Sequence, residues 1–246
     1  MKEYEDCCVI IRGLFNEELH RDIESLKKVY DGEIIYSAWK GADLPELENV
    51  KIVLQDDPGT GPIQNIKRAM YPVPAALKET DKNKIFVIRS DVRFEKAPFS
   101  FYDESKVYFS SIMSLPVAMG LSLENALSTR FNFHNFCRFG DLFHLGSREE
   151  IGKLFSYFTK YEVARYLEIL PQCTEQWMFY KYITNKLGPE LAHPSSGYDR
   201  FIAENIGILD LSDVEGRFVC RGDHKFDDAY FNKEWHARFK SVVEDD

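Results

Sequence analysis

The triplet Arg89-Ser90-Asp91 stands directly after the apolar run Lys84-Ile85-Phe86-Val87-Ile88. In an open α/β sheet, ligands bind beyond the carboxyl ends of strands, so a polar triplet here marks a candidate crevice. An aspartate at such a point can coordinate a divalent ion. An arginine two residues away projects to the same side of an extended chain, where it can offset phosphate charge. The same triplet also suits an ordinary salt bridge at a strand end. Asn65 and Arg68 lie three apart and share one helix face. With Asp57-Pro58-Gly59 before them, they place an amide and a guanidinium near a helix start, where anions are favoured, though a solvated helix start has the same composition. Trp39 follows the apolar run 34–38 and can stack on a base or a sugar, or simply pack beneath a loop.

Two carboxylates are candidates for proton transfer. Asp141 follows Gly140 among Phe131, Phe133, Phe136, Phe139 and Phe143, where burial would raise its pKa and suit it to act as a base. It can equally accept backbone hydrogen bonds. Glu175 falls at an expected helix start, where the helix dipole favours its anion and where a first-turn acid is common. The histidines at 134, 144, 193, 224 and 236 show no metal-ligand spacing. His224, in Gly222-Asp223-His224, is kept as the one metal-ligand candidate beside Asp91.

The elements that must position these groups follow from apolar periodicity. Cys7–Ile11 reads as a buried parallel strand. Asn16 then caps a helix with apolar positions Leu19, Ile23, Leu26 and Tyr30, ended by Asp31-Gly32. Residues 34–38, 51–54 and 84–88 read as strands, and Ile63, Ile66 and Met70 begin a second helix that Pro72 and Pro74 interrupt. Beyond it, Val107–Ile112 and Phe139–Leu145 read as strands and 114–122 as loop. Ser147-Arg148-Glu149-Glu150 is a capping box opening a helix through Ile151, Leu154, Phe155 and Phe158. Thr174 caps a helix with Trp177, Met178 and Ile183. Helices near 198–205 and 229–243 bracket short strands near 206–211 and 217–220. Alternating strands and helices predict an α/β fold around a mostly parallel sheet. No repeat, low-complexity stretch or linker divides the 246 residues, so a single domain is expected.

Composition excludes several classes. The profile, 44% hydrophobic and 29% charged, is that of a globular chain rather than a disordered or fibrous one. A formal charge of -9 argues against nucleic acid as a partner while leaving room for one local basic site. No apolar run is long enough to span a membrane. The acidic start is unlike a secretory signal, and an odd set of five cysteines without a C-x-x-C pair fits a reducing compartment, so a cytoplasmic location is expected. P-loop, dinucleotide-fold, G-x-S-x-G and H-E-x-x-H patterns are all missing.

Several of these stretches, in order, resemble the WavE family of lipopolysaccharide-synthesis proteins, which are similar to GT-A-type glycosyltransferases. They are Ile10-Ile11-Arg12-Gly13, the segment from Glu33 to Gly41 with its S-x-W-x-G end, Asp57-Pro58-Gly59, Asn65-Ile66-Lys67-Arg68 and Ile88-Arg89-Ser90-Asp91. Phe139-Gly140-Asp141-Leu142-Phe143-His144-Leu145-Gly146 and the helix start from Pro171 to Trp177 complete the set. The resemblance spans about residues 8 to 185.

The resemblance implies a GT-A-like fold and a sugar transferred from a nucleotide-sugar donor to a glycan or lipid-linked glycan acceptor, in polysaccharide or surface-glycan synthesis. It implies a donor half over about 1–95, with Arg12, Gly13, Trp39, Asp57, Asn65, Arg68, Arg89 and Asp91 as donor-binding candidates, and an acceptor and catalytic half over about 96–246. Asp91 takes the place of a metal-binding aspartate, so Mn2+ or Mg2+ is the expected cofactor. Glu175 is the first candidate for the base and Asp141 the second. Contact with a membrane surface fits such acceptors. The GT-A signature D-x-D is missing from the chain, and Arg89 stands where its first aspartate would be. Two other classes stay open: a nucleotidyltransferase, and a relative that binds a sugar or a partner without turnover.

Overall fold

The computed structural model describes residues 4–15, 17–59, 61–94, 96–110, 112–113, 140–169, 174–188, 199–210, 213–214, 216–218 and 229–230. In chain order these form β1 (Cys7–Arg12), α1 (Glu17–Leu26), β2 (Glu33–Trp39), β3 (Lys51–Gln55), α2 (Pro62–Met70), α3 (Pro72–Leu77), β4 (Lys84–Arg89) and β5 (Val92–Phe94). A 3₁₀ turn at Pro98–Phe101 leads to β6 (Val107–Ser110), β7 (Ile112–Met113) and β8 (Gly140–Ser147). Then come α4 (Arg148–Leu154), α5 (Lys160–Ile169), α6 (Thr174–Leu187), α7 (Asp199–Asn205), β9 (Ile206–Leu209), β10 (Gly216–Phe218) and β11 (Ala229–Tyr230).

Seven strands make one sheet in the order β3-β2-β1-β4-β8-β6-β9. All run parallel except β8, which pairs antiparallel with both β4 and β6. The expected mostly parallel α/β sheet flanked by helices is therefore observed, and strands from both halves of the chain build it as one domain. β1 lies near its middle, between β2 and β4, so its apolar run is continuous because both faces are covered. Cys7, Val9 and Ile11 face one layer, with Leu19, Ile23 and Leu26 of α1. Cys8 and Ile10 face the other, with Met70, Val73, Ile151, Trp177 and Ile202 of five helices. The period of two in a strand sends the next residue, Arg12, to the side of Cys8 and Ile10.

Local chemistry explains most boundaries. Pro72 occupies the first turn of α3, where its missing N–H costs nothing, and so converts the expected kink into two helices that meet at Tyr71. Ser147 caps α4 by accepting the Glu150 N–H at 3.2 Å. Glu150 does not complete the expected box; its carboxylate instead accepts from Tyr182 at 2.6 Å and pairs with Lys153 and Lys186, both at 2.8 Å. Lys181 of α6 is buried, and its charge is met by Glu162 of α5.

Four expectations need correction. α1 stops at Leu26, where the chain tightens into i→i−3 bonds at Lys28 and Val29; Tyr30 is buried outside the helix, its hydroxyl donating to the Glu33 carbonyl at 3.2 Å. The helix after Ser147 ends at Leu154, because Phe155 leaves helical geometry at φ -111°, ψ 55° and buries its ring. The strand from Val107 divides at Ser110, and Ile112–Met113 pairs separately with β11. Ala229, expected to open a helix, lies in that antiparallel pair, where main-chain pairing overrides local helix propensity. The cap at Asn16 and the loop over 114–122 lie outside the described residues. No helix of the described residues is long and apolar enough to cross a membrane.

Ile10 is fully buried in β1, whereas Leu14, four residues on, is largely exposed. Ile10→Ala should lower unfolding free energy in urea by about 2–5 kcal/mol. Leu14→Ala should stay within about 0.5 kcal/mol of the parent.

Candidate functional site

The sheet changes its winding between β1 and β4. From β1 the chain moves outward to β2 and β3, then returns to the opposite side of β1 as β4. Connections on either side of such a point diverge and leave a crevice at the carboxyl edge. The register sets Arg12 beside Arg89 at that edge. Because β8 runs the other way, its first residues, Gly140 and Asp141, reach the same edge.

A local irregularity aims Asp141. Against β6, the pairing of β8 jumps from Phe109 with His144 to Ser110 with Gly140, a bulge that contains Asp141, Leu142 and Phe143. The Ser110 hydroxyl fills the broken ladder by accepting the Leu142 N–H at 3.2 Å. Asp141 consequently meets two arginines. Arg12 Nη2 donates to the Asp141 carbonyl at 2.7 Å and approaches Oδ2 at 3.5 Å. Arg89 Nη1 donates to Oδ1 at 2.9 Å. Arg89 then grips Asp91 with a fork, Nε to Oδ1 at 2.9 Å and Nη2 to Oδ2 at 2.6 Å. The result is a chain of alternating charge, Asp91–Arg89–Asp141–Arg12.

Burial sets the electrostatics of this chain. Burial alone would raise the Asp141 carboxyl, but the charges of Arg89 and Arg12 outweigh it and hold Asp141 below the ordinary aspartate range. That corrects the expectation of a raised pKa in an aromatic setting, because two guanidinium groups reach the same pocket. Burial pulls the Arg12 guanidinium down, opposed by Asp141. At Arg89 burial also disfavours the charge, yet Asp141 and Asp91 together hold the guanidinium above its usual value. Arg12 lies over the Phe155 ring, 5.6 Å from its centroid. His144, wholly buried, meets Phe155 and Phe109 edge-on at 5.0 and 4.9 Å, and neither ring nitrogen has a partner among the described residues. Burial, reinforced by Arg12, lowers its pKa to about 3, so the imidazole is neutral near pH 7.

Gly13, next after Arg12, packs against Ser90 at this edge. Its φ is +130°, and a Cβ there would lie 2.4 Å from Ser90 Oγ. The Tyr36 hydroxyl donates to the Gly13 carbonyl at 3.0 Å, and the Ser90 N–H donates to the Arg12 carbonyl at 2.8 Å, locking the two strand ends together.

The remaining candidates divide. Trp39 is buried at the carboxyl end of β2, on the same sheet edge. Asp57 and Arg68 pair with each other through a fork at 2.8 and 2.5 Å, and Asp57 also accepts the Gly59 N–H at 3.0 Å. Asn65 is exposed on α2. Glu175 sits in the first turn of α6, partly exposed. Among the described residues no hydrogen bond or ion pair joins Trp39, Asn65, Glu175 or the Asp57–Arg68 pair to the four-residue network. His224 lies outside the described residues. Arg12's bond to Asp141 and the nearness of His144 and Phe155 were not anticipated; a histidine set in the apolar run Leu142–Leu145 was the one available signal.

A divalent ion does not fit the donor set as it stands. Both oxygens of Asp91 already accept from Arg89, and Asp141 lies between two guanidiniums. No group of three or more His, Cys, Asp or Glu among the described residues is arranged to hold a metal. A depression of about 480 Å³, lined by Leu77, Lys78, Asn83, Arg148, Glu149 and Gly152, lies at the opposite edge of the sheet, beside the start of β4, and has no part in this network. The chain matches no protein-family model and no curated protein.

Two outcomes follow. Gly13→Ala should cost about 1–3 kcal/mol, read by urea unfolding, because both φ and the Ser90 contact oppose a side chain. His144 has its pKa lowered by folding, so the unfolded chain takes up a proton first, and stability should fall as pH drops from about 6.5 towards 3. The loss between pH 6.5 and 4.5 should be about 2–3 kcal/mol. Asp141, also lowered, contributes stability that is lost only further down, below the ordinary aspartate pKa. Denaturation measured across that range should show a flatter limb in His144→Leu; an unchanged slope would remove His144 as its cause.

Proposed function

We propose that the chain is a GT-A-type glycosyltransferase that binds the diphosphate of a nucleotide-sugar donor at the carboxyl edge of β1 and β4. The observation that carries this reading is the Arg12–Asp141–Arg89–Asp91 network at the point where the sheet reverses its winding. The mostly parallel sheet with helices on both faces supports the fold that the WavE-like stretches imply. The network gathers three of those stretches, the ends of β1 and β4 and the start of β8, into direct contact.

Glycosyl transfer leaves a nucleoside diphosphate whose growing negative charge must be met. Arg89, the accessible cation of the network, is placed to meet it, while Arg12 works from behind by holding Asp141. Asp141 is a poor proton acceptor with its pKa lowered and its carboxylate between two guanidiniums, so it serves as a positioning residue. The role of base for the acceptor hydroxyl then falls to Glu175, the other candidate carboxylate. Trp39 lies on the same edge but is buried, so its burial supports packing over stacking on a base or sugar. The acceptor in this reading is a glycan or lipid-linked glycan, which brings the protein to a membrane surface.

One observation favours a second reading, a relative that binds a sugar or a partner without turnover: both carboxylates of the network are ion-paired and neither is available as a base. Thermal shifts with UDP, GDP, CDP, TDP and their sugars, with and without manganese, test the binding step common to both. A ligand at about 100 times its Kd should add about 2.7 kcal/mol, or roughly 5–10 °C for a chain of this size. Arg89→Lys keeps the charge but loses the fork, and should abolish most of that shift. If no nucleotide shifts the wild type, the donor site is wrong. Binding without donor hydrolysis or transfer would move the protein to the second reading.

A further inference from the structure

Arg89 is the network member that a ligand can reach: its side chain is 30% exposed, against 5% for Arg12. Yet its Nε and Nη2, the forked edge that best fits a phosphate, are held by Asp91. The formal charges of Arg12, Arg89, Asp91 and Asp141 cancel, so an arriving diphosphate meets no net cation among the four. One carboxylate must yield. The two are not equally free to do so. Asp141 is 14% exposed, lies within β8 and is tied to both arginines, with its own carbonyl bound to Arg12. Asp91 is 19% exposed, sits in the turn beyond the end of β4, and its carboxylate bonds only Arg89 among the described residues.

Taking the donor-site reading as given, we propose that Asp91 is an internal competitor for the ligand. Its carboxylate occupies the phosphate position on Arg89 and swings aside when a diphosphate binds, while Asp141 stays and keeps the guanidinium aimed. Asp91 thereby raises the threshold for anions: monoanions that cannot replace a forked carboxylate are rejected, and a diphosphate, with more charge and more acceptor oxygens, succeeds. This assigns Asp91 the opposite of a metal-ligand role, since removing it should strengthen metal-free binding.

Calorimetric titration with inorganic pyrophosphate, UDP and GDP in metal-free buffer tests this on wild type, Asp91→Asn and Asp56→Asn. Asp56 is an exposed aspartate at the same sheet edge, paired with Lys40 at 3.0 Å, and its change alters the net charge identically without touching Arg89. Asp91→Asn should bind about tenfold more tightly than wild type, and Asp56→Asn should stay within about twofold. Asp91→Ser, with the same expectation, replaces Asp91→Asn if circular dichroism shows the latter misfolded. Weaker or unchanged binding by the Asp91 variants, with wild type still binding, overturns the competitor role and leaves the donor site standing. Equal tightening by Asp56→Asn reduces the effect to net charge and overturns it too. If no probe binds any variant, with or without manganese, the donor site itself falls and the competitor role falls with it.

Discussion

A guanidinium buried at the end of β1 governs much of what surrounds it. Arg12 ends β1, which has a strand on each side and a layer of helices or aromatic side chains on each face, so its charge cannot reach bulk water. An unpaired buried charge costs several kcal/mol, so a carboxylate must be brought to it. β1 and its parallel neighbours cannot provide one from their amino ends, which lie at the far edge of the sheet. A reversed strand can. β8 enters the sheet from the carboxyl edge, and the bulge opposite Ser110 turns Asp141 towards Arg12. Once Asp141 is there, it also receives Arg89, and Arg89 receives Asp91.

The same logic orders the site by depth. The innermost pair, Arg12 and Asp141, is fixed by packing, by a main-chain carbonyl and by the Phe155 ring. The outermost pair, Arg89 and Asp91, is joined side chain to side chain and is the more exposed of the two. A neutral chain of alternating charges is a self-satisfied arrangement, and in the donor-site reading proposed above it is also an entry barrier, since a ligand must replace what it displaces.

How much of this could be read in the sequence depends on the distance between partners along the chain. Arg89 and Asp91 are two apart after a clear strand, and a salt bridge at a strand end was one of the two readings the triplet allowed; the fork is that reading, made across a turn rather than along an extended chain. β1, β2 and β4 were legible as apolar runs because a strand buried on both faces needs no partner to be recognised, and the largely exposed edge strand β3 was legible from its short run Ile52–Leu54. Asp141 was legible as a residue of interest but with the wrong electrostatics. Its neighbours in sequence are aromatic, whereas its neighbours in space are Arg12 and Arg89, 129 and 52 residues away. The reversal of β8 and its bulge, which bring them together, leave no mark in local periodicity. Asp57 and Arg68 show the converse. Their nearness was legible, but they satisfy each other at the surface instead of joining the network.

Phe155 gives the network a mechanical side. β8 carries Asp141 at its start and passes at Ser147 directly into α4, and the residue that ends α4 is Phe155, whose ring returns beneath the guanidinium of Arg12. Arg12 in turn holds Asp141. Strand, cap, helix, ring and ion pair thus form a closed circuit in which each member is braced by the next. Such a loop has no end from which to fray. The carboxyl edge of the sheet and the helix α4 that follows β8 therefore gain or lose order as one unit.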